Sequence, residues 1–515
     1  MEHGGLRTSF KMILAALILA AFWGQSASAA CTGSGLSWSC PAGSTDSDVN
    51  SALTNAASDA TITFANGSYS WSSSIQMNNS GAKGVTLICA SVRGCSVTYS
   101  GGGVFYKDTI AGTSSLVRIS GFVFNGSPGT AVIWLYGAGT MSKLRIDNNT
   151  FQSQATGSIG ILLGETSSAS KFYGVVDHNI FTGATNFMGF KNLSGGSVWV
   201  TGQQGGGNSM YFEDNQCSFT SYPDSGTGCV DDWLANSTVL RFNTVTNSRF
   251  VNHSYCHGGP YNSEIYGNRI SNAAFTVAPN YRNIHFQGSG EEMAWGNQVE
   301  DNGNAIVVQH FRSDSTTATS EGSCNSLADG TASIDGNRTP IATYRGYPAW
   351  HQPGRDNNGT LKPMYLWRNR TAAGAMVKLQ LNSGGYMDQE YKINRDYYEA
   401  VSLNAQTSPT APFNGTSGMG FGTLANRPAT CTPTPEALDS GQGGVGYWAT
   451  DAGSWKSAIP SQGVDVENGV LFSCSAPNTW IVHYTPYAYP HPLVAGSGTV
   501  ADVMPPAKPQ GFSLR

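Results

Sequence analysis

A short motif centred on asparagine recurs through the middle of the chain: Leu144-Arg145-Ile146-Asp147-Asn148-Asn149-Thr150-Phe151, Val175-Val176-Asp177-His178-Asn179-Ile180-Phe181, Tyr211-Phe212-Glu213-Asp214-Asn215-Gln216-Cys217, and again around Asn243, Asn268 and Asn297. The steps between the asparagines are 30, 36, 28, 25 and 29 residues. Each unit is an apolar strand, a polar bend and a second apolar strand. None can bury its apolar face alone, so units at this spacing stack into a solenoid with one continuous core. An asparagine at each bend is expected to adopt the left-handed conformation and to hydrogen-bond along the stack. The uneven steps predict loops of different size on one side of a parallel β-helix.

Before the repeats, Arg7 and Lys11, the apolar run Met12–Trp23 and the small residues Ala27-Ser28-Ala29 read as a secretion signal over residues 1–29. No other segment approaches the ~20 apolar residues needed to span a bilayer. An exported chain with ten cysteines points to disulfides rather than a metal site. Spacing pairs Cys31 with Cys40, Cys89 with Cys95, Cys217 with Cys229 and Cys431 with Cys474, which leaves Cys256 for Cys324. A charged fraction of 12 % and a net charge of −5 offer no basic footprint for nucleic acid. Ser44-Thr45-Asp46-Ser47-Asp48 opens a short amphipathic helix with Val49, Leu53 and Ala56 on one face, a suitable plug for the first open edge of a solenoid.

This helix, the strand segment Thr61-Ile62-Thr63-Phe64-Ala65-Asn66-Gly67-Ser68-Tyr69, the segment Gly84–Ile88 and the asparagine-centred rungs together resemble the pectate-lyase-like right-handed parallel β-helix superfamily over roughly residues 44–325. The resemblance implies an all-β solenoid and a polysaccharide substrate. The superfamily spans lyases, hydrolases, esterases and adhesins, so the reaction has to come from the site. The expected organisation is a cap and first rungs over 30–115, a β-helix core with the catalytic face over 116–337, and an aromatic-rich β/loop appendage over 338–515. The repeat is read as stopping near Arg338, with Pro363–Trp367 and Asn394–Tyr398 in the appendage. That tail resembles those of exported bacterial β-helix proteins. Its aromatic residues pack a cap for the end of the helix or stack on sugar rings. A capped solenoid of this kind is expected to be a monomer, secreted to the periplasm or the medium.

Equivalent positions of successive rungs lie about 4.8 Å apart. Strand alternation therefore sets Lys191, an aspartate of the pair Asp231-Asp232, His253, His285 and His310 in a row on one outer face. Such a row suits an extended polymer, with acid and base groups meeting one glycosidic bond. Asp231, Asp232, His253 and His257 are the expected centre, with Lys191 and Arg241 assisting. His285, His310, Arg282, Arg312 and Trp233 are expected to bind substrate, the arginines by neutralising uronate carboxylates. Adjacent residues of a strand point to opposite faces, so the two aspartates converge only if the chain bends. If it does, Asp231 with Asp214 is a candidate Ca²⁺ site.

Asp231-Asp232 followed by His257-Gly258 is also similar to the Asp-Asp and Gly-His-Gly motifs of polygalacturonase-type hydrolases. Cys256 stands where that motif has glycine, and Glu213-Asp214-Asn215 is the nearest substitute for an upstream Asn-Thr-Asp. A lyase acting by β-elimination on a uronate polymer is the first expectation. A hydrolase with paired aspartates and histidine is the second, and a glycan-binding or adhesin β-helix the third.

Overall fold

The computed structural model describes residues 30–308 and 353–495 apart from 78–82, 101–103, 108–112, 127–128, 138, 154–157, 165–169, 184–187, 194–203, 221–227, 234–236, 254–259, 273–281, 288–289, 301–304, 357–359, 382–390, 404–412 and 435–442. The expected secretion signal lies outside these residues. The chain winds into a parallel β-solenoid of about 10 turns, in which three strands per turn build three long sheets. Sheet I has 13 strands, sheet II nine and sheet III ten. Except for the opening hairpin Thr32–Ser34/Ser37–Cys40, the neighbours in these sheets run parallel and largely in register.

The helix spans Asp46–Asn55. Thr45 and Asp48 form a reciprocal capping box, and Val49, Ala52 and Leu53 are buried in the core.

A single file of asparagines runs through the bend between sheets I and II. In each, the backbone N–H and Nδ2 donate to Oδ1 of the next: Asn149 to Asn179, then Asn215, Asn243, Asn268, Asn297 and Asn369, at 2.9–3.2 Å. Nδ2 also reaches a strand carbonyl of sheet I, such as Phe212 O from Asn243 at 2.8 Å. The left-handed residue is not the asparagine, as expected, but the one before it: Asn148, His178, Asp214, Phe242, Gly267, Gly296 and Arg368 all have φ between 54° and 65°. That residue turns the corner and leaves the asparagine side chain free to line up inside. At Gly267 a Cβ would lie 2.6 Å from the Phe242 ring, so only glycine fits there.

Asn369 marks a correction to the expected boundary near Arg338. Met364–Trp367 and Tyr397–Glu399 extend sheet I, and Leu379–Leu381 extends sheet III. These segments are rungs of the solenoid because they supply the same alternation and the same bend asparagine, 72 residues after the previous one.

The remaining tail, in its described residues, lies against the side of the solenoid. Its four-stranded sheet, Met419–Gly422, Gly446–Ala449, Val470–Ala476 and Thr479–Tyr484, and the segment that follows pack along the outer face of sheet I. Tyr266, Trp295 and Trp367 occupy matching positions on successive rungs, stacked at 4.4 and 5.2 Å between ring centres. Trp448 and Trp455 cover them and are buried in the same cluster. Packing, not sugar stacking, is thus what these tail aromatics do.

Four of the expected disulfides are formed, Cys31–Cys40, Cys89–Cys95, Cys217–Cys229 and Cys431–Cys474. Cys256 and Cys324 lie outside the described residues. Among the described residues no helix is long and apolar enough to cross a membrane.

Candidate functional site

The outer face of sheet III carries three members of the expected row, Lys191, Asp231 and His285, with Val251 in the column on the rung of His253. Leu162, Lys191, Asp231, Val251, His285 and Val307 occupy one register column on successive strands. Asp231 lies on Val230–Trp233, a strand tied at its start by the Cys217–Cys229 bridge to sheet II. Lys191 Nζ is 3.1 Å from Asp231 Oδ2 and 4.5 Å from the centre of the Trp233 ring. The ammonium is thus held between a carboxylate and an aromatic face. Asp231 is 1 % exposed and the Lys191 side chain 14 % exposed, so the pair is recessed rather than free in solvent.

Two strands further on, Arg282 Nη1 lies 2.9 Å from His285 Nε2, and the amide nitrogen of Gln287 is 3.0 Å from the same atom. A guanidinium can only donate, so Nε2 carries the lone pair and the ring is held in one orientation. His253 ends the strand Phe250–His253, in register with Trp233. His257, His310 and Arg312 lie outside the described residues. The structure therefore gathers Lys191, Asp231, Trp233, Arg282 and His285 on one face, with the His253 backbone beside them.

Three expected members are elsewhere. Asp232 points into the solenoid, where the Thr238 side chain hydrogen-bonds it. The strand is regular in its pairing with Asn192 and Asn252, so the two aspartates do not converge. The paired-carboxylate arrangement expected of a hydrolase is not built here.

Arg241 belongs to sheet I and is fully buried beneath the tail. It pairs with Glu213 and donates to the carbonyls of Tyr487 and Ala488 at 2.8 and 2.9 Å. Its rung neighbours repeat the theme, with Arg118 on Asp147 at 2.6 Å and Arg145 on Asp177 at 3.0 Å.

Asp214 is likewise engaged by the tail. One oxygen accepts from Ser461 N and Oγ at 2.8 and 3.0 Å, the other from Tyr489 OH at 2.7 Å. Asp214 and Asp231 thus sit on different sides of the solenoid and make no joint metal site. Among the described residues no three His, Cys, Asp or Glu side chains gather for a metal.

A second polar group, on the inner side of the same strands, was not anticipated. The inner column of sheet III runs Leu135, Leu163, Asn192, Asp232, Asn252, Phe286, Val308. The facing column of sheet I runs Leu144, Gly174, Met210, Thr238, Ser263, Glu292. Three polar residues thus interrupt each apolar column at the same level. They join across the interior through Asn192 to Thr238 at 3.0 Å, Asn252 to Ser263 at 2.8 Å and Asn252 to Glu292. Burial pushes both Asp232 and Glu292 well above the usual carboxylate range. The sequence signal was there in strands such as Val230-Asp231-Asp232, polar at inward and outward positions alike.

The fold and the recessed face define a parallel β-solenoid with a cationic and imidazole-bearing outer sheet face. No protein-family model matches the chain, and no curated protein is significantly similar to it.

Proposed function

We propose that the protein is exported and binds and cleaves a uronate-containing polysaccharide by β-elimination along the outer face of sheet III. The observation that carries this reading is Lys191, held by Asp231 and Trp233, three strands from His285 on the same register column. β-Elimination needs a positive charge on the uronate carboxylate, which acidifies the adjacent C–H, and a base for that proton. Lys191 and Arg282 supply the charge. An imidazole, His285 or His253 of the preceding strand, supplies the base. Trp233 offers an apolar face to a sugar ring. The four disulfides support export.

Incubation with uronate and neutral polysaccharides, following ultraviolet absorbance of unsaturated products and reducing ends in parallel, tests it. Both signals rise together on a uronate polymer and are lost in Lys191→Ala if the reading holds. Reducing ends alone would make the protein a hydrolase. Retention on immobilised glycan with neither signal would make it a binding protein.

A further inference from the structure

Most buried carboxylates on the outer face of sheet I have a counter-charge or a full set of donors. Asp147, Asp177 and Glu213 each have an arginine, and Glu264 accepts from Tyr484 OH and Gly205 N. The interior pair is different. Asp232 is 2 % exposed and Glu292 is fully buried. Among the described residues, Asp232 Oδ1, Glu292 Oε2 and Asn252 Oδ1 have no hydrogen-bond partner. Asn252 is 2 % exposed, and its amide nitrogen is spent on Ser263 and Glu292, which turns it into the cluster. The charges that act on these two acids are other carboxylates, Asp231 on Asp232 and Asp232 on Glu292, and among the described residues no cationic side chain offsets them.

An uncompensated buried charge costs several kcal/mol, so something must neutralise it. The unsatisfied atoms are all oxygens: two carboxylate and one amide, with the Thr238 and Ser263 hydroxyls beside them. Hard oxygen donors and two formal negative charges match a hard divalent cation, Ca²⁺ before Mg²⁺ because the set is irregular and bulky. We infer that Asp232, Glu292 and Asn252 hold a structural Ca²⁺ inside the solenoid, between sheets I and III. The ion sits directly behind the strand that presents Asp231 outward, so it fixes the back of the candidate active face without touching substrate. Because the ligands come from three strands of different turns, the site closes as the turns stack, and the ion is taken up during folding.

The test is the calcium content of the purified protein by atomic emission, after prolonged dialysis against a chelator and again after unfolding in guanidinium with the chelator. About one calcium per chain surviving the first step and lost in the second is expected. Asp232→Asn combined with Glu292→Gln abolishes the retained calcium, whereas Asp231→Asn keeps it. No calcium in the native protein would overturn the inference, with both acids then buried as neutral carboxyls. So would calcium that survives Asp232→Asn/Glu292→Gln or disappears with Asp231→Asn, which places the ion on the outer face. Asp232→Asn and Glu292→Gln keep the side-chain volumes, and a circular dichroism spectrum confirms that each variant is folded before its metal content is read.

Discussion

Asp231 and Asp232 are adjacent in the chain yet serve opposite sides of one strand. Asp231 pairs with Lys191 on the outer face, and Asp232 is bonded to Thr238 in the interior. The strand's period of two separates them by the full thickness of the sheet. One therefore belongs to chemistry at the surface and the other to the integrity of the core, and their substitutions should diverge accordingly.

On the outer face, Lys191→Met removes the cation while preserving most of the side-chain volume. Activity on a uronate polymer is expected to fall by about 100-fold in kcat/KM, the loss typical of one electrostatic donor to a developing negative charge. Initial rates of ultraviolet absorbance give the number directly. A variant as active as the parent protein would remove Lys191 from the reaction.

In the bend, Asn243 accepts from Asn215 N and Nδ2 and donates to Phe212 O and Asn268 Oδ1. Asn243→Ala leaves these buried groups unpaired and should destabilise the protein by about 3 kcal/mol. Equilibrium unfolding in denaturant reads this as a lowered midpoint with an unchanged slope.

Under the tail, Arg241→Met strands Glu213 in a buried site and frees two carbonyls of the tail. The expected cost is about 3–5 kcal/mol, with the segment after Tyr484 becoming open to protease. Adding Glu213→Gln removes the orphaned charge and should restore a large part of the loss. If the double variant is no better than the single one, the ion pair is not what anchors the tail.

Two groups at the same interface give stability opposite dependences on pH. Burial raises Glu264 from its ordinary 4.5 to about 7, so the folded state holds its proton more tightly than the unfolded chain does. Its contribution is complete below pH 4.5 and is lost as pH rises to about 7. Burial and the neighbouring Arg241 lower His491 from 6.5 to about 3, so its contribution is complete above pH 6.5 and is lost as pH falls toward 3. Melting curves of Glu264→Gln should lack the first loss and those of His491→Phe the second. A Glu264→Gln profile parallel to that of the parent protein from pH 4.5 to 7 would contradict the assignment.

The solenoid was legible in the sequence because the bend asparagines are chemically distinctive and recur every 25–36 residues from Asn149 to Asn297. The last rungs were not, because 72 residues separate Asn297 from Asn369 and the period disappears. The row Lys191–Asp231–His285 followed from alternation alone. The placement of Arg241 did not, because its role depends on a tail that returns from more than two hundred residues away to cover it. The inner cluster was hidden for a related reason: Asn192, Asp232 and Asn252 look unremarkable until register sets them in the same column as Leu163 and Phe286.

The file of asparagines has a further effect on what this architecture tolerates. Every amide in it advances the molecule by the same distance, whether the chain between two of them is 25 residues long or 72. Axial position is thereby uncoupled from contour length, as on a ruler whose marks do not move when the string looped between them is lengthened. Insertions beyond the three sheets can remodel the surroundings of sheet III while the groups on it keep their mutual spacing.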